Sequence, residues 1–96
     1  MELLLNEIQQ LSQREPKTIE QMALKLAEEA GETAQAVLSY QEASGSGYKG
    51  LNLEDVKEEC VDVLLVTLSL FYQISDEDEL QKLLSQKLRK WESKIN

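Results

Sequence analysis

The chain has 96 residues, room for one domain over 1–96, and a monomer of that size buries only about 60–65% of the surface its unfolded form exposes, so association between copies is expected. Eighteen acidic residues against ten basic ones give a net charge of −8, which excludes wrapping of a nucleic-acid polymer, because such binding draws its affinity from Lys and Arg neutralising phosphates. Hydrophobic residues make up 42% of the chain, and one proline and four glycines leave few interruptions, which excludes disorder and points to long helices in an all-α domain.

Leu4, Ile8 and Leu11 repeat with helical spacing and predict a first helix, which Pro16 stops by excluding helical geometry from the residue before it. Thr18, with Gln21 three residues on, reads as a capping box opening a second helix that runs to about residue 41. Its expected core stripe is Ile19, Met22, Ala23, Leu26, Ala30 and Val37. Ser and Gly then dominate 44–50, a loop by composition that also carries Tyr48. Asn52 caps a third helix, from 54 to about 74, and Ser75 followed by Asp76, Glu77 and Asp78 marks the start of a fourth.

The third helix is apolar nearly all round over 60–72, so it needs cover on several sides. A four-helix bundle whose core is completed by dimerisation meets that need. The same run is shorter than the roughly 20 residues of a membrane helix, and the first residues lack the basic flank of a signal peptide. The lone Cys60, expected to be buried in this run, has no internal disulfide partner. Together these place the protein in the cytoplasm, away from membranes.

Two pairs of carboxylates stand three residues apart on facing helices: Glu29 and Glu32 on the second, Glu59 and Asp62 on the third. At 100° per residue Glu29 lies about 90° from the centre of the expected stripe and Glu32 about 150°. Asp62, between Val61 and Val63, is expected to be partly desolvated and therefore to require a partner, either a cation or a lysine such as Lys25 or Lys57. Most other acidic residues read as solvated helix faces, with Glu28, Asp55 and Glu58 open to either reading. With no histidine and one cysteine, an imidazole or thiolate metal site cannot be assembled, which leaves Mg²⁺, with Mn²⁺ as substitute, held by Glu29, Glu32, Glu59 and Asp62. Gly31, inside the second helix, suggests close packing beside that metal.

These residues resemble the MazG-like branch of the all-α nucleoside triphosphate pyrophosphohydrolases, whose signature is Glu-x-x-Glu, a variable spacer, then Glu-x-x-Asp. The two halves lie in KLAEEAGETAQAVL and DVKEECVDVLLVTLSLF, separated by a spacer of 26 residues, 33–58. The resemblance implies a MazG-like fold and Mg²⁺-dependent hydrolysis of nucleoside, or deoxynucleoside, triphosphates to monophosphate and pyrophosphate. It also implies a role in cleaning the nucleotide pool and a homodimer or homotetramer. Glu29 or Glu28 would then orient and deprotonate the attacking water.

The family tends to carry a lysine on its last helix for the phosphate tail. Lys87 is the counterpart here, and it falls within the stripe of Leu80, Leu83, Leu84, Trp91 and Ile95. Trp91 stands where the family often has Asn. Lys90 and Lys94 either share that tail or form a basic solvated face answering Glu79 and Glu92, Lys25 is a further candidate phosphate contact, and Trp91, Tyr48 and Tyr72 are candidate plates for a base. Two other readings fit the sequence: a non-enzymatic helical interaction module, and a phosphohydrolase acting on another pyrophosphate-containing substrate.

Overall fold

The computed structural model describes residues 1–41 and 52–95, and these form four α-helices and no strand. Helix α1 spans Glu2–Ser12, α2 Ile19–Tyr40, α3 Leu53–Ile74 and α4 Glu77–Ile95. The segment 42–51, with Tyr48, lies outside the described residues.

Local chemistry sets the helix ends. The Thr18 side chain accepts from Gln21 N at 3.1 Å, and the Gln21 side chain accepts from Thr18 N at 2.9 Å, so two of the unpaired amides at the start of α2 are satisfied. A second such box was not expected: Asn52 and Asp55 cap α3 reciprocally at 3.2 and 2.8 Å. At α4 the capping side chain is Asp76, whose Oδ1 accepts from Glu79 N at 2.9 Å, while Ser75 closes α3.

Helix α3 is the hub, with α2 packed along it and α1 beside it. The inner line of α2 runs Met22, Glu29 and Ala36, one residue every seven, with Leu26 and Thr33 half-buried between them. The predicted stripe is therefore rotated: Met22, Leu26 and Val37 face inward, but Ile19, Ala23 and Ala30 are exposed. On α3 the half-buried line Val56, Glu59, Val63, Val66 and Leu70 alternates steps of three and four. Thr33 Oγ1 donates both to Glu29 O at 2.8 Å and, across the seam, to Glu59 O at 3.3 Å.

The core is thin. Met22, Ala36 and Tyr72 are the buried apolar residues among those described. On α3, Val61, Leu64 and Leu65 stay exposed, and Cys60 is exposed as well, contrary to expectation, because no described helix covers that side. Tyr72 pins the α3–α4 corner, its hydroxyl donating to Glu77 Oε2 at 2.6 Å. Beyond that corner α4 buries nothing: Leu84, Leu88, Trp91 and Ile95 are all exposed. The radius of gyration is 15.8 Å, where a compact chain of this length has about 12.5 Å, so α4 does not close the bundle within one chain. No described helix is long and apolar enough to cross a membrane.

Candidate metal centre

The rotation of α2 places a carboxylate where an apolar residue would ordinarily sit. Glu29 is 6% exposed and lies in the α2–α3 seam, one heptad from Met22 and one from Ala36. Glu59 faces it from the inner line of α3, and Asp62 follows one turn later at the rim. One carboxylate oxygen from each of Glu29, Glu59 and Asp62 lies within 4.8 Å of the others. Glu29 Oε2 and Glu59 Oε2 are buried without a hydrogen-bond partner among the described residues. Such atoms are costly, because they have lost water and received nothing in return.

The electrostatics register the crowding. Burial first, then the charges of Glu32, Asp62 and Glu29, push the Glu59 carboxyl above its ordinary range. Glu32, exposed on α2, is pushed up chiefly by the Glu29 charge, then by lost hydration and by Glu28. The four predicted ligands thus form one electrostatic cluster, although only Glu29, Glu59 and Asp62 converge closely. An all-oxygen donor set with two unpartnered buried oxygens suits a hard divalent cation such as Mg²⁺ or Mn²⁺.

The roles within the cluster differ from those expected. Asp62 is exposed, beside an open hollow of about 370 Å³ that it lines with Lys57, Glu58 and Val61. The most deeply buried carboxylate is Glu29, which helical periodicity sets off the expected core stripe. The periodicity of α2 missed this because alanines on its outer face imitate core positions. Gly31 is also exposed, and a Cβ there would meet nothing within 4 Å among the described residues, so packing among them does not require glycine.

Lys25 pairs with Glu29 Oε1 at 3.0 Å and stands 3.8 Å from Glu28, so it is committed to carboxylates and not to Asp62. Its ammonium is held charged above the usual lysine range, first by the hydrogen bond to Glu29 and then by the Glu28 charge. Glu28 itself is exposed at the edge of the cluster. Lys87, Lys90 and Lys94 are exposed on α4, and no ion pair or hydrogen bond among the described residues joins them to the cluster. Trp91 is 62% exposed and lines a shallow hollow with Leu88, Arg89, Glu92 and Ile95, all on its own helix. Tyr72, the other aromatic candidate, is buried at the α3–α4 corner and occupied with Glu77. The sequence carries no signal for one further contact: the Thr33 hydroxyl, whose bond to Glu59 O ties α2 and α3 together beside the carboxylate cluster. No known protein family, curated protein or solved structure matches this chain.

Proposed function

We propose that the chain is a divalent-cation-dependent nucleoside triphosphate pyrophosphohydrolase that works as a dimer. The observation that carries this reading is the buried Glu29 carboxylate, with an unpartnered oxygen, converging on Glu59 and Asp62. The Glu-x-x-Glu and Glu-x-x-Asp signature, which resembles that of the MazG-like enzymes, supplies the reaction class.

Glu29, Glu59 and Asp62 would hold the cation, with Glu32 beside them. Bound there, Mg²⁺ would supply charge stabilisation and orientation for triphosphate oxygens. The exposed rim at Asp62 gives an entry side for the phosphates. Glu28, outside the crowded seam, orients a water and takes its proton as the water oxygen bonds to the α-phosphorus. The α–β anhydride bond breaks, and its electron pair leaves with pyrophosphate.

Dimerisation is supported by surface area. The chain exposes 7294 Å², whereas a compact monomer of 10.9 kDa exposes about 5,600 Å². The excess exceeds the roughly 800 Å² per partner of a standard interface. The exposed apolar residues of α3 and α4 are the surface a second copy would cover.

The test is incubation with Mg²⁺ and a panel of ribo- and deoxynucleoside triphosphates, with products identified by chromatography. Monophosphate and pyrophosphate are expected. Diphosphate with orthophosphate would overturn the reaction, and no turnover from a stable dimer would favour the interaction-module reading, which the bare α4 ridge also suits.

A further inference from the structure

The cluster has one cation of its own. Lys25 bonds Glu29 Oε1 at 3.0 Å, and no other basic residue pairs with Glu29, Glu59 or Asp62 among the described residues. Its four-carbon stem is flexible, its side chain is 38% exposed, and a second carboxylate, Glu28, already stands 3.8 Å from the ammonium. A small rotation therefore takes Lys25 from Glu29 to Glu28 without leaving it unpaired.

Resting on the proposal that the cluster binds a divalent cation, we infer that Lys25 is an internal counter-ion that competes with that cation for Glu29 and sets its affinity. While the site holds no divalent ion, the ammonium neutralises the most deeply buried carboxylate of the α2–α3 seam. When the ion enters, two cations face one carboxylate. The ammonium repels the ion and occupies one of the two oxygens the ion can use, so it moves over to Glu28 Oε1, the oxygen it already faces, and Glu28 Oε2 is left to take the proton of the attacking water. Lys25 thus keeps the seam packed when empty at the expense of tight metal binding. It is a positioning residue, and it acts through Glu29.

The alternative is an ordinary i,i+4 pair that merely orients Glu29, and the two make opposite predictions for metal affinity. Mn²⁺ binding to the full chain is followed by the loss of the free-ion electron paramagnetic resonance signal, with no substrate present. Lys25→Met keeps the apolar stem and removes the charge, Lys25→Gln does so with a polar end, and Lys25→Arg keeps the charge. A unit charge about 6 Å from a divalent ion in well-hydrated surroundings changes its binding by about tenfold. The expected result is a Mn²⁺ midpoint lower by about that factor in Lys25→Met and Lys25→Gln, and near the parent value in Lys25→Arg. A midpoint unchanged or raised in both neutral variants, with the parent binding Mn²⁺, overturns the competition and leaves the metal site standing. A parent chain that takes up no Mn²⁺ overturns the metal site and this inference with it.

Discussion

Replacing Glu29 by Gln separates what the seam needs for folding from what it needs for a cation. The amide has nearly the carboxylate's shape, so packing against Met22 and Ala36 on the same inner line is kept. Two effects oppose each other in the metal-free protein. The pair with the half-exposed Lys25 is lost, which costs little because the ammonium returns to water. A buried charge beside Glu59 is also lost, and the new amide can donate toward the unpartnered Glu59 Oε2. The variant should therefore melt within about 5 °C of the parent without metal.

With metal the two should diverge. A cation present at ten times its dissociation constant stabilises the parent by about 1.4 kcal/mol, and at about 2.1 cal/mol/K of unfolding entropy per residue that is about 7 °C for this chain. Losing the central ligand should weaken binding by at least about tenfold, which leaves about 0.4 kcal/mol, or about 2 °C, at the same concentration. The assay is a far-ultraviolet circular dichroism melt of both proteins over a Mg²⁺ titration, with matched monovalent salt as control. If Glu29→Gln retains the parent's full Mg²⁺-dependent rise, Glu29 is not a ligand and the buried oxygens need another explanation.

Other outcomes follow from the same packing. Thr18→Ala removes one half of the capping box at the start of α2 and should cost about 1 kcal/mol, read as a fall of about 5 °C in the melt. Tyr72→Phe removes the 2.6 Å bond to Glu77 and should cost about 1–2 kcal/mol near neutral pH in denaturant titration. Burial and then Glu77 push the Tyr72 hydroxyl from 10.0 up to about 12. The unfolded chain therefore loses this proton first as pH rises: the contribution is whole below pH 10.0, is lost on approach to about 12, and the parent-minus-variant difference should shrink across that window. Trp91→Asp, on the exposed ridge of α4, should leave helicity unchanged yet shift sedimentation at micromolar concentration toward the 10.9 kDa monomer; an unaltered dimer would place the interface elsewhere.

The helix count and most helix ends were legible in the residues themselves, because they rest on local chemistry. Thr18 with Gln21, Asn52 and Pro16 act within a turn of where they stand, so a linear reading finds them. That Glu29, Glu59 and Asp62 would come together was legible too, since acidic pairs repeat one helical turn on two helices, whereas Glu32 stays outside the group that converges. Which carboxylate loses its water was not. Helical periodicity cannot tell an alanine facing a partner helix from one facing solvent, and Ala23 and Ala30 drew the expected stripe of α2 to the wrong side. Only packing against α3 turned Glu29 inward and left Asp62 at the rim, and only the direction of the α3–α4 corner carried Lys87 and Trp91 away on an unburied helix. Capping is a contest between neighbours along the chain, whereas desolvation depends on what arrives from far away in sequence, so tertiary structure alone decides which charge the protein must satisfy.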